Sequence, residues 1–110
     1  MSKVIKIWLD DIRESPLGYS VCHSVNQCKK FIIESEKLGL EIYLDIDHDL
    51  GDFAKDGGDG IELVKWLIET RRFYPITFHT MNPVGLYNME SLVKRYWKQG
   101  NRYWEGKTDC

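Results

Sequence analysis

No stretch of this chain approaches the ~18 consecutive apolar residues that a membrane-spanning helix needs. The first residues, Met1-Ser2-Lys3-Val4, lack the charged-then-apolar pattern of a secretory leader and run straight into a strand-like segment. There is no basic block: 15 Lys and Arg against 17 Asp and Glu leave a net charge of −2, which argues against strong binding to a nucleic-acid duplex. Cysteine is scarce. Cys22, Cys28 and Cys110 are odd in number and show no C-x-x-C spacing, as expected of reduced thiols in a cytoplasmic protein. Internal repeats and low-complexity segments are also missing. What is present is a 43% apolar, 13% aromatic chain of 110 residues, enough for one domain with a real core and too short for two.

Strand and helix signals alternate. Val4 to Leu9 is a near-continuous apolar run, the pattern of a strand buried on both faces. Residues 12–18 hold Pro16 and Gly18 and read as a loop; 19–23 is a short strand. Ser24 and Gln27 form a capping-box signature for a helix from Val25 to Lys37, with Cys28, Phe31 and Ile32 on its inner face and Gly39 beyond its end. Residues 40–46 form the next strand. Asp59 and Glu62 fit the cap and third position of a helix that runs to about Arg72, with Ile61, Val64, Leu67 and Ile68 inward. A strand at 75–79 follows, then a helix capped by Asn82 with Pro83 in its first turn and Leu86, Met89, Val93 and Trp97 inward. A short edge strand is expected at 100–104. The alternation predicts an α/β domain, 1–110, with a mostly parallel sheet.

In such sheets ligands bind beyond the carboxyl ends of the strands. Asp10-Asp11, Asp47-His48-Asp49 and His79-Thr80-Met81-Asn82 all fall there. Alternation along an extended chain points Asp45, Asp47 and Asp49 the same way. So many carboxylates in one place raise one another's pKa unless a cation compensates. A hard divalent ion satisfies them: Mg²⁺ or Mn²⁺ first, with Zn²⁺ open because histidine is at hand. Asp10, Asp11, Asp47 and Asp49 are the expected ligands. Asp52, Asp56 and Asp59 read as turn and cap residues. An EF-hand is rejected, because its sixth loop position is Leu50 instead of glycine and its twelfth is Asp56.

His79 is expected to face the acids and suits proton transfer, although a lone histidine at a strand end is also a common structural group. His48 is the second candidate for moving the proton, although it would point away from its flanking aspartates in an extended chain. Asn82 caps a helix whose start also offers N–H groups to an anion. Arg13 is a phosphate-binding candidate, as is Thr80, and His23 reads as structural.

These residues carry a resemblance. "IKIWLDD", "DGIELVKWL" and "ITFHT" look like the first strand with its acidic pair, the segment after the phosphoacceptor loop, and the fourth strand of receiver domains. "WLDDIR", "DIDHDLGD" and "FHTMNPVG" together resemble the cyclic-phosphate processing receiver domain over roughly residues 5–97. The resemblance implies a three-layer, flavodoxin-like fold. Here the first crossover helix is reduced, because residues 12–18 are too few for one. It implies a metal-dependent phosphoesterase acting on a cyclic-phosphate nucleotide or an RNA-end phosphate. Asp10 and Asp11 would hold the ion, Asp47-His48-Asp49 would be the acidic–histidine motif, and His79 and Asn82 the pair after the fourth strand. Either Asp45 or Asp47 matches the phosphoacceptor, and the Asp-His-Asp-Leu-Gly run favours Asp47. The loop 50–60 is long enough for a lid. No lysine follows an apolar run at the fifth strand, Lys98 and Lys107 not fitting, so phosphorelay ranks last. The competing reading is a non-catalytic module that binds a partner protein or sequesters a phosphorylated small ligand.

Overall fold

The computed structural model describes residues 3–97 and, for the segment 104–108, the backbone. Five strands, β1 (Val4–Leu9), β2 (Tyr19–Cys22), β3 (Glu41–Ile46), β4 (Ile76–Phe78) and β5 (Trp104–Thr108), form one parallel sheet in the order β2-β1-β3-β4-β5. The helices α1 (Val25–Lys37), α2 (Gly60–Glu69) and α3 (Pro83–Tyr96) provide the crossovers. This is the α/β flavodoxin-like architecture. Parallel crossovers are right-handed. The steps β2→β3, β3→β4 and β4→β5 run one way along the sheet, so all three helices fall on one face. Their inner side chains share a single core with Ile7, Leu9, Ile42, Leu44, Ile46, Ile76 and Phe78.

The step β1→β2 runs the other way, so its connection belongs on the opposite face, and segment 10–18 contains no helix. A parallel connection this short works because of the register. Lys6 lies beside Tyr19, so the chain climbs back only from the level of Leu9 to that of Lys6. That is about 10 Å, well within the ~30 Å reach of nine extended residues. The thin cover corrects the expectation that Val4 to Leu9 is buried on both faces. Ile7 and Leu9 are sealed under the helices, whereas Val4 and Lys6 are exposed on the other side.

Local signals translate unevenly. Ser24 caps α1 by accepting from the Gln27 amide, while the Gln27 side chain accepts from the His23 amide, one residue before the cap. Asn82 caps α3 through the Gly85 amide. Asp59 stands at the start of α2 but makes no cap bond, because its carboxylate accepts from the Leu50 amide instead. The same helix stops three residues earlier than its apolar pattern suggests. Arg71 takes a left-handed conformation (φ 58°) without being glycine, and Arg72 leaves the helix line. Arg72 reaches Glu36 with two bonds of 2.9 and 3.0 Å and lies 4.7 Å from the centre of the Trp66 ring. The inner face of α2 is also broader than expected, with Leu63 fully buried beside Val64 and Leu67. Of the edge strand expected at 100–104, residues 100–103 lie outside those described, and Trp104 opens β5, which runs to Thr108; Lys107 thus sits in the fifth strand next to its last residue. No helix among the described residues is long and apolar enough to cross a membrane.

The Glu36 pair joins α1 to the end of α2. Burial works against the Glu36 carboxylate, but Arg72 and the Tyr74 hydroxyl outweigh it and hold its pKa below the usual value. A depressed folded-state pKa means stability that is present above the unfolded-state value and lost as pH falls through the folded one. Glu36→Gln is expected to lower the unfolding free energy by about 1.5 kcal/mol at pH 7. In urea titrations the difference from the parent protein should shrink below pH 4.

Candidate functional site

The sheet register explains why the acids meet. Leu9 lies beside Ile46, so Asp10 and Asp47 leave β1 and β3 side by side. Trp8, Asp10, Asp45, Asp47, Thr77 and His79 alternate onto the face without helices. One carboxylate oxygen from each of Asp10, Asp11 and Asp47 lies within 4.8 Å of the others. Oxygen ligands about an octahedral ion at ~2.1 Å sit ~3–4 Å apart, so small side-chain adjustments suffice to close this set on a cation.

Asp10 is the anchor of the group. Its Oδ1 accepts from the amides of Ile12 and Arg13 at 3.0 and 2.8 Å, which folds the loop after β1. Its Oδ2 is 2.9 Å from Nε2 of His79. Its backbone is tied by its own amide to the Cys22 carbonyl and by its carbonyl to Nδ1 of His23. Burial opposes its charge, yet the Arg13 and Ile12 amides and His79 together hold its pKa low. Asp47 is the reverse case. Burial first, and the Asp10 charge next, raise its pKa, only partly offset by the Thr80 hydroxyl, the His48 amide and His79. A buried carboxylate pushed up by a neighbouring carboxylate is a group short of positive charge. The three residues therefore fit a hard divalent ion by donor type and by electrostatic need.

His79 does face the acids, from inside the protein. It is 1% exposed, and its Nδ1 lies 2.6 Å from Asp45 Oδ1 while its Nε2 meets Asp10. One ring nitrogen faces each carboxylate, so a single buried side chain bridges the two acids. The ring stacks on Trp8 at 3.7 Å and 6°. Trp8 in turn donates to the Arg13 carbonyl. His79 thus ties Asp45 of β3 to Asp10 after β1 and holds Asp10 in place.

The expected sharing of direction holds for Asp45 and Asp47 but not for Asp49. The chain leaves the extended line where the His48 amide turns back onto the Asp47 carboxylate at 2.8 Å. Asp49 instead meets His48 Nδ1 at 2.7 Å and the Asn82 amide group at 3.1 and 3.3 Å. His48, Asp49 and Asp59 form a second group of potential ligands beside the first. Two glycines make these approaches possible. A Cβ on Gly60 would stand 2.0 Å from the Asp47 carbonyl oxygen, and one on Gly85 would stand 2.5 Å from the His48 ring. Sequence gave no sign of either contact, nor of Trp8 as the partner of His79.

The acids open into a crevice of about 490 Å³ lined by Asp10, Asp11, Ile12, Arg13, Asp47, Asp49, Thr80, Met81 and Asn82. Neither His48 nor His79 lines it. Arg13 donates through Nη1 to the His79 carbonyl at 2.8 Å, and its side chain remains 44% exposed at the rim. Thr80 and Asn82 are engaged with Asp47 and Asp49. The loop 50–60 is fastened rather than free: Asp56 accepts from Ser24 Oγ at 2.6 Å and from Asn26 Nδ2 at 3.1 Å, and its carbonyl accepts from the Asn26 amide. None of the residues 50–60 lines the crevice.

A parallel sheet in this strand order, with an acidic pair after β1 and a further aspartate directly after β3, defines a receiver-type domain. The family model described as the cyclic-phosphate processing receiver domain matches residues 5–95, and the chain belongs to that family. Neither the curated proteins nor the solved structures contain a match.

The raised pKa of Asp47 means that its ionised form destabilises the metal-free fold above the unfolded-state pKa. Asp47→Asn should raise the melting temperature at pH 7 without divalent ions; if Mg²⁺ or Mn²⁺ occupies the three-aspartate set, the parent should gain ~2.7 kcal/mol at a hundredfold excess over Kd and the variant should not. His79→Leu leaves two buried carboxylates without their partner. It should cost about 3 kcal/mol at pH 7, measured by urea unfolding.

Proposed function

We propose that this domain is a metal-dependent phosphoesterase for a cyclic-phosphate nucleotide or an RNA-end phosphate. The observation that carries this reading is the meeting of Asp10, Asp11 and Asp47 oxygens at the floor of a crevice with an arginine at its rim. The family description points the same way. The all-oxygen donor set favours Mg²⁺ or Mn²⁺ over Zn²⁺. Bound there, the ion supplies positive charge to a phosphoryl oxygen and makes a water in the crevice more acidic.

The chain's own residues divide the remaining work. Asp10, Asp11 and Asp47 hold the ion, and His79 with Asp45 orients Asp10. Arg13 presents its free N–H groups to the phosphate, a role suited to guanidinium geometry. Thr80 and Asn82 position Asp47 and Asp49. His79 is sealed below the floor, so proton handling falls to His48, which reaches the crevice through Asp49.

The alternative is a binding module without turnover. It is favoured by the absence of any histidine ring among the crevice-lining residues. Incubation with Mn²⁺ or Mg²⁺ and a panel of 2′,3′- and 3′,5′-cyclic nucleotides separates the two. Turnover is expected, lost in Asp11→Asn, with kcat lowered about 100-fold in His48→Gln. Tight binding of the same compounds without hydrolysis would establish the module instead.

A further inference from the structure

Two apolar side chains flank the acidic floor. Ile12, in the loop after β1, is 88% exposed, and Met81, in the loop after β4, is 76% exposed. Both line the same crevice as Asp10, Asp11 and Asp47. Neither packs in the core. A pair of large apolar side chains held in water at the mouth of a polar site has a use when a ligand covers them.

The volume points to the same conclusion. A crevice of about 490 Å³ is far larger than a phosphate group requires and lies in the range of whole small-molecule sites. Its floor is charged and its mouth carries apolar walls. The complementary ligand is anionic at one end and flat and apolar at the other.

Resting on the phosphoesterase reading above, we propose that Ile12 and Met81 are specificity-determining residues. They hold the base of a mononucleoside cyclic phosphate, while the phosphate end meets Arg13 and the ion-binding floor. Methionine suits this role because its flexible, polarisable side chain adapts to the face of an aromatic ring. Charge selects the mononucleotide over an RNA end. The charged residues that line the crevice are Asp10, Asp11, Asp47 and Asp49 against Arg13, and the whole chain is net negative. A polyanion running past this rim would meet repulsion at each further phosphate, whereas a single nucleotide places its charge at the floor.

The test is calorimetric, with Mg²⁺ present and Mg²⁺ binding measured first by itself. Three probes are titrated: 2′,3′-cyclic AMP, ribose 2,3-cyclic phosphate without a base, and a short RNA ending in a 2′,3′-cyclic phosphate. The base-bearing nucleotide is expected to bind about tenfold more tightly than the base-free compound and more tightly than the RNA. In the double variant Ile12→Ser with Met81→Ser, the ratio between the first two should fall toward one. Both sites are exposed, so the fold persists, and an unchanged melting temperature confirms it. Equal affinities for the two small compounds, or a ratio untouched by the double variant, would overturn the proposal. Tighter binding of the RNA would replace the mononucleotide by an RNA end. Intact Mg²⁺ binding with no affinity for any of the three would overturn the phosphoesterase reading itself, a result distinct from loss of base discrimination alone.

Discussion

Negative charge crowded at one edge of a parallel sheet is the constraint around which this molecule is organised. Asp10, Asp11 and Asp47 occupy a space of a few ångströms, with Asp45 just beneath. Without compensation such a group would be protonated or pushed into solvent. The structure answers it on two levels. Below the floor, the His79 ring stands between Asp45 and Asp10 and is closed off from water by the plane of Trp8. Above it, Asp47 remains short of countercharge, the condition that makes a cation welcome.

The thin face of the sheet follows from the same region. The connection between β1 and β2 has no room for a helix, and its first residues, 10–13, stay at the strand ends. The Asp10 carboxylate then shapes that loop by binding the amides of Ile12 and Arg13. A single buried side chain therefore serves two ends. It offers an oxygen to the acidic cluster, and it places the arginine and isoleucine that border the crevice.

Much of this was legible in the sequence because it depends on period and position alone. Alternating strands and helices, the caps Ser24 and Asn82, and the meeting of strand ends follow from local patterning. So does the pairing of Asp10 with Asp47 once the sheet is parallel. What was not legible depends on three-dimensional coincidence. Asp49 was expected to share the direction of Asp47, but the chain turns at His48 and sends it to the start of α3. Asp59 carried a cap signature and spent its carboxylate on Leu50. Arg71 ended α2 without glycine because Arg72 had a distant partner in Glu36, which no local rule contains. His79 was correctly aimed at the acids, but its burial, and hence its role as a holder of Asp10, required knowing that Trp8 covers it.

The central claim is that one divalent ion belongs among Asp10, Asp11 and Asp47. Crystals soaked in Mn²⁺ and measured for anomalous scattering test it most directly. The account predicts a single peak within coordination distance of oxygens from all three residues, absent in Asp47→Asn. Density lying only between His48, Asp49 and Asp59, or none at millimolar Mn²⁺, would contradict it.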